Sequence, residues 1–182
     1  MNAASTNLPT LFLKPAEMFI AEQPCVISTL LGSCVAITMV SRRIGVGAIC
    51  HALLPSCRTK DRCDCPERSR YVDCAIRGMI EAFRSRGVPR SGIEAKVFGG
   101  AEMFHAGAGE GGGGSVGRQN ISKALELLAA EGIRIAASDV GGLHGRKIYF
   151  YPQTGEVFLK RLNGLANRRT SVSPCRTDGE LP

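Results

Sequence analysis

Tryptophan is absent from the sequence, and aromatic residues make up only 5% of it. Proteins that bind single-stranded nucleic acid stack the bases on aromatic side chains set among basic ones, and this chain has no such interleaving. Its formal net charge of +7 suits either a nucleic acid or an acidic protein surface. The shortage of aromatic residues argues against the first, so we expect an acidic protein partner and no nucleic acid.

The sequence also shows no long apolar run and no pattern typical of a leader peptide. No apolar stretch reaches the length needed to cross a bilayer, so direct membrane insertion is not expected. Residues 1–14 lack a basic segment followed by an apolar core, which predicts that there is no signal peptide. We therefore expect a cytoplasmic protein whose eight cysteines are buried or reactive rather than bridged.

Three cysteines lie close together in a charged segment, at Cys57, Cys63 and Cys65. Structural zinc sites usually use pairs of cysteines separated by two residues, together with further cysteine or histidine ligands. This segment has neither that spacing nor a nearby histidine. We predict a solvated loop without a metal, leave the role of these cysteines open, and expect no cofactor.

A run of glycines, Gly107–Gly112, formally matches a dinucleotide-binding fingerprint. A real fingerprint passes directly from a strand into a helix, so that the helix N-terminus meets the pyrophosphate. Here residues 101–106 separate the glycines from the preceding strand. We expect a loop that covers a site or contacts a partner.

Short apolar runs rich in β-branched residues predict strands, and apolar residues at helical spacing predict two helices. The strands are expected over residues 26–31, 35–40, 44–49, 93–98 and 133–138, with a hairpin of 147–151 and 156–162, and the helices over 71–86 and 115–132. The hairpin favours a mixed sheet. The predicted fold is α/β, a mixed, twisted sheet with two main helices. Residues 1–14 are expected to be irregular, residues 1–162 to form one domain, and residues 163–182 to be a basic, disordered tail.

One stretch combines a nucleophile with a tight turn. Gly32-Ser33-Cys34-Val35 lies between two predicted strands, and His51 ends another strand seventeen residues further on. Adjacent strands would bring His51 beside Cys34, where an imidazole supplies the base and the charge that lower a thiol pKa. Main-chain N–H groups near Ser33 and Cys34 could hold an oxyanion. From these two residues alone, an inert buried cysteine and a core histidine are the alternative.

Six motifs in order resemble the CheD family of chemoreceptor glutamine deamidases. The resemblance spans roughly residues 20–162 and is carried by Leu31–Val35, His51–Pro55, Arg70–Asp73, Lys96–Ala101, Asn120, and Asp139–Gly142 with Gly145–Lys147. It implies a layered α/β/β fold, similar to that of bacterial toxin deamidases. It also implies a cytoplasmic enzyme that hydrolyses glutamine side chains of methyl-accepting chemotaxis receptors, with Cys34 as nucleophile and His51 as base.

The family's third catalytic position is a threonine six residues before the cysteine, which here is Ser28. Serine keeps a hydroxyl that can orient the imidazole. If the strand is regular up to Gly32, residue parity puts Ser28 on the side of Cys34 and Thr29 on the other. We therefore favour Ser28 over Thr29, and we expect the backbone at Gly99 and Gly100 to approach a ligand, together with Gly32 and Ser33.

Other interpretations stay open. His144, in a glycine-rich turn, is a second candidate base, although a surface histidine is the simpler reading. A peptidase or an acyl transferase would use the same cysteine and histidine. CheD-like proteins are also expected to bind a CheC-type phosphatase, so a non-catalytic chemotaxis adaptor that binds receptors or that phosphatase is the alternative function.

Overall fold

The computed structural model describes residues 8–57, 67–102 and 114–162. Within these ranges the chain forms nine strands and two α-helices. They are β1 (Thr10–Phe12), β2 (Met18–Ala21), β3 (Val26–Leu31), β4 (Val35–Ser41), β5 (Val46–Ala52), α1 (Val72–Arg84), β6 (Glu94–Gly99), α2 (Val116–Ala130), β7 (Arg134–Val140), β8 (Arg146–Tyr151) and β9 (Glu156–Arg161).

The strands form two mixed sheets. The first has the order β1-β3-β8-β9, and the second has the order β2-β5-β4-β6-β7. In the first sheet β1 runs parallel to β3 and the other neighbours are antiparallel. In the second, only β6 and β7 are parallel among the neighbouring strands. The predicted final hairpin is present as β8 and β9.

Two apolar cores divide the protein into three layers. One core lies between the helices and the second sheet and includes Ile37, Met79 and Leu128. The other contains residues from both sheets, such as Ile27 of β3 and Ile49 of β5, so the two sheets pack face to face. The predicted α/β class, with a mixed sheet, two main helices and α/β/β layering, is confirmed.

The prediction of irregular structure over residues 1–14 is wrong for Thr10–Phe12. These residues form β1, which pairs with β3 and places Phe12 opposite Ser28. Three residues are too few to show a periodicity, and the strand exists because β3 supplies its main-chain partners. The strand leads directly into Leu13, which is buried between the sheets.

Some predictions fall outside the described residues. They concern Cys63 and Cys65, the glycine run Gly107–Gly112, and residues 163–182. Of the helices within the described ranges, neither is long and apolar enough to cross a bilayer.

Candidate active site

Cys34 lies where the chain crosses from one sheet to the other. Strand β3 ends at Leu31 in the first sheet, and β4 begins at Val35 in the second. The intervening residues Gly32, Ser33 and Cys34 form the crossing, which we call the nucleophile turn. Cys34 is half-buried and packs against the core between the sheets. Cys34 therefore lies at the edge of that core and is partly exposed.

His51 lies on the strand next to β4. Strands β4 and β5 are antiparallel, with Ala36 opposite His51, and Cys34 immediately precedes β4. His51 is only 2% exposed. Within the described part of the chain no hydrogen bond joins the thiol to the imidazole. The register places His51 on the strand next to the one that Cys34 precedes, while the meeting of the two side chains as a catalytic pair stays a prediction.

Thr29 connects the imidazole to the opposite sheet. Its Oγ1 atom lies 2.8 Å from the main-chain oxygen of Leu13 and 2.8 Å from Nδ1 of His51. A hydroxyl has a single proton, and Thr29 donates it to the Leu13 carbonyl. It therefore accepts the hydrogen bond from Nδ1, which assigns the proton of the neutral ring to Nδ1. Nε2 is left unprotonated and available as a base.

The hydroxyl that contacts His51 belongs to Thr29 and not to Ser28, so the parity argument for Ser28 is wrong. Thr29 shares its face of β3 with Ile27 and Leu31, which belong to the core between the sheets. Ser28 shares the opposite face with Leu30, which is 46% exposed. Parity was counted through Gly32 to Cys34, but β3 ends at Leu31 and the turn changes sheets. Alternation does not continue across such a turn.

Burial leaves both members of the pair uncharged near neutral pH. Desolvation raises the pKa of the Cys34 thiol, and a hydrogen bond from the residue's own N–H lowers it only in part. Desolvation lowers the pKa of His51 below its ordinary value of 6.5, although the main chain of Leu13 and the charge of Glu17 oppose this. The sequence leads us to expect a thiol of lowered pKa; instead, burial favours a neutral thiol at Cys34 and a neutral imidazole at His51.

The predicted glycine pair packs directly on the nucleophile turn. Gly99 has φ of +102°, and a Cβ there would lie 2.3 Å from the Cys34 oxygen. Gly100 has φ of +68° and donates its N–H to the same oxygen at 2.7 Å. Only glycine fits such an approach without strain. The structure thus brings Gly32, Ser33, Gly99 and Gly100 together, while their role in binding substrate stays a prediction.

Comparisons with known proteins show which family the chain belongs to. A family model described as CheD chemotactic sensory transduction matches residues 53–161. The probable chemoreceptor glutamine deamidase CheD 2 of Geobacter sulfurreducens is 47% identical over 163 residues, covering 90% of this chain and 96% of the relative. This chain belongs to the CheD family.

Further relatives of this CheD-family chain have similar coverage. The probable chemoreceptor glutamine deamidase CheD of Oleidesulfovibrio alaskensis is 40% identical and covers 91% of this chain and 78% of its own. The corresponding protein of Maridesulfovibrio salexigens is 38% identical and covers 86% and 94%. The crystal structure of Neisseria meningitidis protein NMB0706, of family model DUF152, has a TM-score of 0.46 and 13% identity, covering 74% of this chain and 63% of that one.

A charged groove lies beside the nucleophile turn of this CheD-family chain. It has a volume of about 450 Å³ and is lined by residues 138–144, Arg146 and Arg161. Arg146 is buried and donates to Asp139 Oδ1 at 2.7 Å, and Arg161 donates to Oδ2 at 2.7 Å. Burial works to raise the pKa of Asp139, but the two guanidinium groups hold that pKa below its ordinary value.

The groove is joined to the site through main-chain contacts. Leu31 pairs with Arg146 in the first sheet, and the N–H of Gly141 donates to the Gly99 oxygen at 2.9 Å. His144, the second candidate base, is exposed on the groove wall. His51 is the histidine that Thr29 orients.

Sequence reasoning gave no role to two residues that shape the site. The Leu13 carbonyl accepts the hydrogen bond from the Thr29 hydroxyl. No local sequence pattern indicates a contact between residues so far apart in the chain. Asn120 is fully buried on α2, on the same face of the helix as Gly117, Ala124 and Leu128. A polar side chain in the buried stripe of a predicted helix was a usable signal, because buried polar groups are hydrogen-bonded.

A first prediction separates the two hydroxyls. Thr29→Val keeps the β-branched shape but removes the acceptor for Nδ1, so we expect kcat for glutamine deamidation to fall roughly 10- to 100-fold, as the ring loses its orientation. The matched control Ser28→Ala removes the neighbouring hydroxyl, which is buried on the opposite face of β3 and does not contact His51, and it should leave kcat within about twofold of wild type. Ammonia release by both variants measures this. A larger loss in Ser28→Ala than in Thr29→Val would refute the assignment.

Proposed function

We propose that this chain is an enzyme that hydrolyses selected glutamine side chains of methyl-accepting chemotaxis receptors to glutamate. One observation carries the proposal: the Thr29 hydroxyl fixes the His51 imidazole between the sheets, on the face that also bears the half-buried thiol of Cys34. The substrate class is taken from relatives named as probable chemoreceptor glutamine deamidases. Thiol, imidazole and water are sufficient for the chemistry, so the proposal includes no cofactor.

In the first half of the proposed reaction, the sulfur of Cys34 attacks the glutamine side-chain carbonyl carbon. Nε2 of His51 takes the thiol proton as the C–S bond forms. The carbonyl oxygen becomes an oxyanion, which main-chain N–H groups of the nucleophile turn stabilise. His51 then gives its proton to the amide nitrogen, the C–N bond breaks and ammonia leaves, so that the glutamyl group remains on Cys34 as a thioester.

In the second half, water replaces the thiol as nucleophile. His51 takes a proton from the water as the oxygen attacks the thioester carbon. The C–S bond then breaks, and the proton on His51 returns to the departing sulfur. The products are a glutamate side chain and the free thiol. The same Nε2 atom serves as base and acid in both halves, which is why its protonation state matters.

The pH dependence follows from the two shifted pKa values. The active form carries one proton on the Cys34–His51 pair, so activity is lost when His51 is protonated at low pH or when the pair is fully deprotonated at high pH. Because the pKa of His51 is lowered and that of Cys34 is raised, we expect kcat/KM to stay level through neutral pH. Its acid limb should have a midpoint below 6.5.

A pH profile of kcat/KM on one receptor fragment checks this prediction. An acid limb centred clearly above the ordinary histidine pKa would contradict it, because it would mean that a preformed ion pair raises the pKa of His51. Thr29→Val changes the partner of Nδ1 and should move the acid limb. Ser28→Ala is the control and should leave the acid limb in place.

The proposed substrate surface is a cytoplasmic helix of the receptor. An acidic surface of this kind suits a chain of formal charge +7. A CheC-type phosphatase is a second proposed partner, on the family resemblance alone. The half-buried thiol of Cys34 and the imidazole of His51 that Thr29 orients support a catalytic role rather than an adaptor role. The experiment below separates the two roles.

Peptide mass mapping of a receptor cytoplasmic fragment tests the proposed function. After incubation with the chain, selected glutamines should gain the mass of one amide-to-acid conversion, and an equal amount of ammonia should appear. A peptidase would instead shorten the fragment, and an acyl transferase would attach an amine to it. Tight binding of the fragment without any change in its mass would defeat deamidation and favour an adaptor.

A further inference from the structure

The side chain of Asn120 bridges the two segments that carry the catalytic pair. Asn120 is completely buried on α2. Its Nδ2 atom donates to the main-chain oxygen of Ser33 at 3.1 Å and to that of Leu53 at 2.9 Å. Ser33 immediately precedes the nucleophile, and Leu53 immediately follows β5, the strand that carries His51. One amide group therefore ties the nucleophile turn to the end of the histidine strand.

The carbonyl groups of the nucleophile turn are all held from the side of β6 and α2. The oxygen of Gly32 accepts the N–H of Ala101 at 2.8 Å, and the oxygen of Cys34 accepts the N–H of Gly100 at 2.7 Å. Asn120 holds the carbonyl between them. In a trans peptide the C=O and N–H groups point in opposite directions. The N–H groups of Ser33 and Cys34 are thus turned away from α2.

The N–H of Cys34 belongs to the same residue as the reacting sulfur. An N–H group next to the nucleophilic sulfur is also next to the carbonyl oxygen of any amide that the sulfur attacks. Its direction is set by the peptide between Ser33 and Cys34, and that is the peptide whose carbonyl Asn120 holds.

Close helix packing brings Asn120 within reach of the turn. A Cβ at Gly117, one turn before Asn120, would lie 2.6 Å from the Gly100 oxygen, so α2 docks directly on the segment that follows β6. The Oδ1 atom of Asn120 is buried and accepts no hydrogen bond from the described residues. An unsatisfied buried acceptor costs about 1–3 kcal/mol.

We propose that Asn120 is a positioning residue that fixes the Ser33–Cys34 peptide so that the Cys34 N–H stabilises the oxyanion. Asn120 itself does not touch the substrate. The proposal rests on the proposed deamidase function and adds to it a residue that acts only when negative charge develops on the substrate oxygen. It therefore affects the acyl-transfer chemistry more than the reactivity of the thiol.

The experiment compares two reactions of Cys34 in the same variants. Deamidation passes through an oxyanion, whereas alkylation of the thiol by iodoacetamide is a displacement at carbon that forms none. In Asn120→Leu and Asn120→Ala we expect kcat for ammonia release to fall roughly 10- to 100-fold, because loss of one oxyanion donor costs about 10²–10³ in kcat and here the donor is displaced, not removed. The alkylation rate of the Cys34 peptide, followed by mass spectrometry, should stay within about twofold of wild type.

Ser122→Ala provides the matched control, because Ser122 lies on the exposed face of the same helix. Two variants are used because Asn120→Ala leaves room for the chain to relax if leucine is not accommodated. Alkylation that falls in parallel with kcat would overturn the proposal, since Asn120 would then only support the fold or the catalytic pair. Unchanged kcat in the folded variants would also overturn it. No ammonia release by wild type would defeat the proposed function itself.

Discussion

Cys34→Ala is expected to abolish ammonia release from receptor glutamines, lowering kcat/KM by more than about 10⁴-fold, as loss of the nucleophile does in enzymes with a covalent intermediate. The protein should stay folded. Cys34 is half-buried at the edge of the core between the sheets, and replacing a small side chain there leaves little unfilled space. Thermal unfolding checks the fold, and ammonia release checks the activity.

Cys25 offers a matched control. It is also a half-buried cysteine that packs against the core between the sheets, but it lies before β3, away from the nucleophile turn. Cys25→Ala should therefore keep activity close to wild type. Deamidation by Cys34→Ala at a substantial fraction of the wild-type rate would rule out the thioester route, whatever the second variant does.

His51→Gln is expected to lower kcat by about 10²–10⁴-fold, the usual contribution of general acid–base catalysis. Glutamine is of similar size and keeps polar atoms near Thr29, but it cannot accept and return a proton. Because burial raises the pKa of Cys34, the thiol needs a base to activate it. Alkylation of Cys34 at neutral pH should therefore slow as well. This joint loss distinguishes His51 from Asn120, for which only deamidation is expected to suffer.

His144→Gln is the comparison for His51→Gln. His144 is exposed on the wall of the charged groove that Asp139 lines. Its replacement should change kcat by no more than about twofold. If His144→Gln proved inactive while His51→Gln retained activity, the base would be assigned to the wrong strand.

The placement of the proposed catalytic residues on neighbouring segments could be predicted, because it depends on adjacent strands. Two apolar runs on either side of a short connection predict adjacent antiparallel strands, and the register of β4 and β5 places Ala36 opposite His51. The choice between Ser28 and Thr29 depends instead on which sheet each strand joins. Strands β3 and β4 are close in the sequence and similarly apolar, yet they belong to different sheets. Periodicity cannot reveal such a change.

Long-range contacts account for the remaining difference between sequence and structure. Strand β1 depends on its partner β3, and Leu13 becomes part of the site only because β1 adds to the edge of the first sheet. Asn120 acts through two carbonyl groups that lie far from it in the chain. In each case, the residue type is compatible with many environments, and the tertiary fold selects one of them.

Acid quenching of the wild-type chain during turnover with a receptor fragment, followed by proteolysis and mass spectrometry, would trap the proposed thioester. We expect an adduct on the peptide that contains Cys34, with the mass of the receptor peptide less one ammonia, joined through a bond that hydroxylamine cleaves. We also expect the adduct to be absent from Cys34→Ala. Rapid deamidation with no adduct on Cys34 under any quench condition, or an adduct on another residue, would contradict the proposed thioester.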